Sequence, residues 1–242
     1  MYLKNFSTSF FFSQFSMHTM YKNELFILMY CGPMIPTGRS FHKFLFSMIN
    51  DEALDKIHNI PISIENGIYL DEKSGRIYGE KLSQKYSFAY PYPHIVIDNF
   101  LPEDIANQVA EEFPDADSDF WYEYSNPLEI KKACSDWNKF SPSIYQLFIE
   151  LFSPKSVEYL NYVTGKNLTP DVGLHGGGLH CHKSGGKLNT HLDYNIHPKV
   201  NLQRKVNIIV YVTKDWDPNW DGSLGLWENN PETNQPGKLV EK

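Results

Sequence analysis

Residues 189–195 read Asn-Thr-His-Leu-Asp-Tyr-Asn, with His191 and Asp193 two apart. The segment reads as a strand, on which side chains i and i+2 share a face. An imidazole and a carboxylate would then point the same way and could grip one ion. That is the beginning of the two-histidine, one-carboxylate triad that holds non-heme Fe(II) and leaves positions open. Oxygen and a chelating cosubstrate need those positions. Nine histidines in 242 residues place about half an H-x-D in such a chain by chance. A surface pair on a strand or turn is therefore the plain alternative, and the surroundings have to decide.

Other chemistry-bearing residues lie close by. His180 and His182 also share a face, and with His191 they suggest a cupin-like metal site. The glutamate and later histidine of such a site are missing at the usual spacing, so these two read as packing residues. His175 adjoins three glycines (176–178) without the strand-to-helix context of a phosphate loop, and reads as structural. Cys181 has no base at recognisable spacing, which argues against a nucleophile. Arg204 reads as a surface or packing residue. His197 precedes Pro198, falls in a loop, and is a poor ligand.

The elements that must position the pair are legible mainly after residue 90. Residues 93–100 form a strand. Residues 101–113 place Ile105, Val109 and Phe113 four apart, with Pro102 and acidic residues in the first turn, which is an amphipathic helix. A second helix starts at Ser141 and Pro142, with Ile144, Leu147, Phe148 and Leu151 as its stripe. A third repeats that start at Ser153 and Pro154, and Gly165 closes it. After residue 170 the apolar period changes to two, and four segments read as strands between turns. Helices first and strands after predict an α+β fold. Residues 60–79 alternate and carry Asn-Gly and Ser-Gly, so short strands joined by turns are expected there. Residues 1–59 are an aromatic-rich extension with no assigned fold, and 60–90 are a small β unit or linker.

Beyond the pair comes Arg-Lys-Val-Asn-Ile-Ile-Val-Tyr-Val-Thr-Lys-Asp-Trp-Asp-Pro-Asn-Trp-Asp-Gly-Ser-Leu-Gly-Leu-Trp-Glu (204–228). This run, about a dozen residues after H-x-D, resembles the prolyl-4-hydroxylase-like branch of the Fe(II)/2-oxoglutarate oxygenases. The matching elements are Tyr211-Val212-Thr213, Asp215-Trp216, Asp221-Gly222-Ser223-Leu224 and Trp227. Asp221 departs from the glycine that the family carries there. The likeness spans about 90–230 and places the oxygenase-like domain at 91–242.

The resemblance implies a double-stranded β-helix, a jelly-roll barrel, with helices packed on its N-terminal side. It implies His191 and Asp193 as iron ligands. It implies that the Tyr211 hydroxyl meets the distal carboxylate of 2-oxoglutarate, against the alternative of a core tyrosine bonded to backbone. On this reading Asn207, Ile209 and Tyr211 share one strand face and Ile208, Val210 and Val212 the other. His182 would approach the cosubstrate pocket, Trp216 and Trp227 would line the barrel wall, and Trp220 would be exposed. The implied cofactors are Fe(2+), 2-oxoglutarate and L-ascorbate. The implied reaction hydroxylates an unactivated C–H bond, first of all in a prolyl residue of a protein or peptide; a sugar or small-molecule acceptor stays open.

The family also carries a later histidine and a Lys or Arg about ten residues after it. The last histidine here is His197, and nothing places Lys238 or Lys242 in the cavity. The expectation is a domain incomplete at its C-terminus, and with it a second reading: an inactive fragment or binding module on the same barrel.

Composition bounds the rest. A net charge of −7 and the absence of a basic stripe argue against a nucleic-acid partner. Three widely spaced cysteines make no disulfide framework and fit a reducing, cytoplasmic setting over secretion. No run approaches the roughly 18 apolar residues of a membrane span. Oligomeric state is not legible.

Overall fold

A computed structural model describes residues 10–21, 24–29, 62–63, 67–68, 72–98, 100–214, 217–220, 222–230, 232–233 and 235–241. The expectations for Asp215, Trp216, Asp221 and Lys242 lie outside the described residues.

The chain opens with strands β1 (Phe10–Tyr21), β2 (Glu24–Met29), β3 (Ile62–Ser63) and β4 (Gly67–Ile68). Helix α1 (Glu72–Ser87), strand β5 (His94–Ile97) and helix α2 (Glu103–Glu111) follow. Then come β6 (Tyr122–Ser125), β7 (Glu129–Cys134), α3 (Pro142–Leu151) and α4 (Pro154–Thr164). The remainder is β8 (Leu168–Pro170), β9 (Gly178–Cys181), β10 (Lys187–Leu188), β11 (Gln203–Thr213), β12 (Leu226–Asn230) and β13 (Gln235–Glu241). The mixture is α+β.

Nine strands make one sheet. Its path is open, in the order β10-β7-β9-β1-β11-β2-β5, with β6 on β7 and β8 on β1. Strand β11 is central: β1 runs parallel on one edge and β2 antiparallel on the other. Its sequence explains the position. From Ile208 to Val212 every residue is buried, and a strand apolar on both faces belongs inside a sheet. Residues 1–59, given no fold above, thus contribute two strands that pair with the later part of the chain.

The helices pack as their stripes demand. Ile144, Leu147, Phe148 and Leu151 of α3 join Tyr159, Leu160 and Val163 of α4 in the core. Ser153 accepts the Ser156 backbone N–H, and Gly165 closes α4 at φ +64°, the left-handed conformation that glycine adopts without strain. Residues 72–87 correct the expectation of strands. Among the described residues, β3 and β4 pair, and the chain from Glu72 to Ser87 is helix α1. Tyr78, Leu82 and Tyr86 recur every four residues and pack into the core. Gly79 is the close-approach point, because a Cβ there would lie 2.4 Å from Tyr162 Cβ of α4. No helix among the described residues is long and apolar enough to cross a membrane.

Candidate metal centre

His191 and Asp193 do not lie on a strand as expected. Strand β10 ends at Leu188, and the pair sits on irregular chain leading towards β11. One long-range bond extends the β10–β7 pairing by a residue, and a local side-chain contact follows it. The Asn189 backbone N–H donates to Leu128 O at 2.9 Å, and His191 Nδ1 lies 2.8 Å from Asn189 O. A ring nitrogen facing a carbonyl carries the proton, so in the neutral ring the Nε2 lone pair is exposed. That lone pair looks at Asp193 Oδ1, 3.5 Å away. Two acceptors face each other across a gap that a cation or a proton must fill. The Asp193 hydrogen bond accordingly raises the His191 pKa, against burial.

Asp193 is held from behind. Arg204 Nη2 lies 3.0 Å and Asn207 Nδ2 2.8 Å from its Oδ2. Burial opposes ionisation of Asp193, yet the contacts with His191, Arg204 and Asn207 win and hold its pKa below the usual range. The Arg204 side chain is 1% exposed, so of the two readings, surface or packing, the surface one is corrected. It is a buried cation paired with the carboxylate, as burial of a charge requires.

A ring cluster backs the arginine. The Arg204 guanidinium lies 4.6 Å from the centroid of Tyr194, whose hydroxyl donates to His175 O at 2.8 Å. The His175 and His197 rings are 4.9 Å apart, and His197 Nε2 is 3.5 Å from Asp171 Oδ2. His197 is therefore not outside the fold, as the loop position implied. Its loop folds inward to pair it with Asp171.

The other candidates separate cleanly. His180 is buried and its pKa is pushed down to about 3, chiefly by burial, which marks a neutral core histidine. His182 is also lowered by burial, with the charge of Lys131 acting in the same direction. Burial raises the Cys181 thiol, which fits no nucleophilic role. Tyr211 is buried on β11, and Trp220 is exposed as expected. No group of three His, Cys, Asp or Glu side chains that could hold a metal ion occurs among the described residues. The His191 and Asp193 side chains stand together as a pair.

Sequence reasoning missed Asn207, Arg204 and Tyr92 as neighbours of the pair. Tyr92 is partly buried, and the charge of Asp193 helps burial raise its pKa. A signal existed for Arg204: a cation at the start of a long apolar strand must find a partner if it is buried. For Tyr92 the sequence carries no signal.

The segment bearing these residues has known counterparts. Residues 177–241 match the 2OG-Fe(II) oxygenase superfamily. The match takes in His191, Asp193, Arg204, Asn207 and Tyr211, and covers about a quarter of the chain. It supports a dioxygenase-type function, and the superfamily implies Fe(2+) and 2-oxoglutarate. No curated protein and no solved structure matches.

Proposed function

We propose that this chain is an Fe(II)/2-oxoglutarate-dependent dioxygenase that hydroxylates an unactivated C–H bond, with a prolyl residue of a protein or peptide as the first-choice acceptor. One observation carries the reading. Inside the segment that matches the oxygenases, an imidazole lone pair and a carboxylate oxygen face each other at 3.5 Å. This donor set suits Fe(II).

His191 and Asp193 are the metal ligands in this proposal. The Nδ1 contact to Asn189 O keeps Nε2 free to donate its lone pair. Bound iron with 2-oxoglutarate supplies oxygen activation coupled to release of succinate and CO2, and ascorbate keeps the iron reduced. Tyr211 would donate its hydroxyl to the distal carboxylate of a bound cosubstrate. Its support is placement: Tyr211 and Asn207 share a face of β11, about 13 Å apart along the strand. The fold that goes with this reading is a jelly-roll barrel.

The second reading, a binding module without turnover, is favoured by one observation. No third ligand side chain joins the pair among the described residues.

The test is succinate release from 2-oxoglutarate by the purified chain with Fe(II) and ascorbate, with and without prolyl peptides. The expected result is iron-dependent succinate, lost in Asp193→Asn, with one oxygen atom added to the peptide. Asp193→Asn keeps an oxygen for Arg204 and Asn207 while removing the anionic ligand; because it also removes the counter-charge of the buried Arg204, a thermal melt first checks that the variant is folded. A folded protein that binds 2-oxoglutarate without releasing succinate would establish the binding module instead.

A further inference from the structure

We propose that Arg204 and Asn207 are positioning residues that hold Asp193 as a one-oxygen metal ligand; this rests on the metal-site reading above. Asp193 sits on irregular chain, where nothing in the local backbone fixes its side chain. A free carboxylate can turn either oxygen, or both, towards a cation. Here Oδ2 is engaged by an ion pair with Arg204 Nη2 at 3.0 Å and by a hydrogen bond from Asn207 Nδ2 at 2.8 Å. Only Oδ1 is left towards His191.

The clamp is itself fixed. Arg204 Nε and Nη2 donate to Asn207 Oδ1 at 2.9 and 2.7 Å. That sets the amide so that its oxygen meets the guanidinium and its nitrogen meets Asp193. Both residues stand on β11, which is paired along both edges. The Arg204 backbone N–H donates to Asn195 O at 2.8 Å, tying the strand start to the loop that carries Asp193. The Tyr194 ring covers the guanidinium at 4.6 Å. A planar, forked cation makes all of these contacts at once, and a lysine cannot.

Held in this way, Asp193 would offer a bound metal one oxygen, and room would be left beside it for a chelating cosubstrate. Outer contacts of this kind tune affinity by fixing the ligand.

The experiment is Co(II) titration of the full chain, followed by the visible absorption of the bound ion. It compares wild type with Asn207→Ala, Arg204→Lys and His191→Ala, each checked for folding by thermal melts without metal. His191→Ala should abolish the specific spectrum. Asn207→Ala should weaken binding roughly 10- to 100-fold and change the band shape as Asp193 is released. Arg204→Lys keeps the charge and loses the fork, and should show the same change if Asn207→Ala fails to fold. Variants that are folded and keep the wild-type affinity and spectrum would overturn the clamp while leaving the metal site standing. A wild-type chain that binds no Co(II), or a His191→Ala variant that binds it unchanged, would overturn both.

Discussion

His197 Nε2 stands 3.5 Å from Asp171 Oδ2, with both side chains almost wholly buried. The Lys199 and Val200 backbone N–H groups donate to His197 Nδ1 at 3.1 and 3.2 Å. In the neutral ring the proton therefore sits on Nε2, the nitrogen on the carboxylate's side. Asp171 also accepts the backbone N–H groups of Gly173 and His175 at 2.9 and 2.8 Å. The pair joins the loop after β8 to the loop before β11, and so supports the rings behind Arg204. His197→Ala would remove the ring beside Asp171 and take the shared acceptor from the Lys199 and Val200 backbone N–H groups. The expected cost is about 2–4 kcal/mol, read as a shift of the urea midpoint. Asp171→Asn, which keeps an acceptor, should cost less. Equal and negligible losses would show that the contact stabilises nothing.

Local signals were legible where local chemistry decides. The Ser-Pro starts and Gly165 marked α3 and α4, and the stripe of α3 is the buried one. Residues 72–79 misled because Ser74-Gly75 is a turn signal. The helix wins there through tertiary contact, with Gly79 tucked against Tyr162. The site divides in the same way. H-x-D is visible as two residues, whereas Arg204 and Asn207 reach Asp193 only once the loop between them folds back. Strand β1 offered no signal, because its place depends on the open edge of β11 and not on its own period.

Acid should weaken the fold through its buried histidines. The His180 pKa in the folded chain, about 3, lies below its ordinary 6.5. Above pH 6.5 both states leave it neutral, and its contribution to stability is fully retained. Below that, the unfolded chain takes a proton that the folded chain refuses. Stability then falls by about 1.4 kcal/mol per pH unit towards pH 3. His182 and His175, also lowered by burial, act in the same direction. His191, raised by Asp193, acts in the opposite one: its contribution is present below 6.5 and lost as pH rises through its folded value. Urea midpoints measured from about pH 7 down to about pH 5 should therefore fall, and His180→Gln should flatten the slope. An unchanged slope in that variant would remove His180 from the account.

Two glycines should respond very differently to a methyl group. Gly178 opens β9 at φ +102°, and a Cβ there would lie 2.2 Å from the Cys134 carbonyl oxygen. Backbone cannot yield as a side-chain tip can, so Gly178→Ala should cost more than about 3 kcal/mol. Gly185 also has positive φ, at +79°, but a Cβ there meets nothing within 4 Å. Gly185→Ala should cost about 1 kcal/mol, from backbone strain alone. Thermal melts of the two variants decide the matter: comparable losses would mean that the crowding at β7 relaxes freely.

Helix α3 is capped from across the molecule, and the cap can be measured. Ser141 has the extended backbone of an N-cap, but its side chain makes no capping hydrogen bond to the helix. Glu112, just past the end of α2, does the work instead: its Oε2 accepts the Ser143 backbone N–H at 3.0 Å and the Ser143 hydroxyl at 2.8 Å. A carboxylate beside the positive end of a helix is favourable. The Ser143 contacts lower the Glu112 pKa, so this stability is present above the ordinary value of 4.5 and is lost as pH falls through the folded value. Glu112→Ala should cost about 1–2 kcal/mol, with a smaller loss in a Ser143→Ala background, because the two share one interaction. Ser141→Ala should stay within about 0.5 kcal/mol. If Ser141→Ala instead costs as much as Glu112→Ala, the helix is capped locally, and the tie between α2 and α3 does not hold the core as assigned.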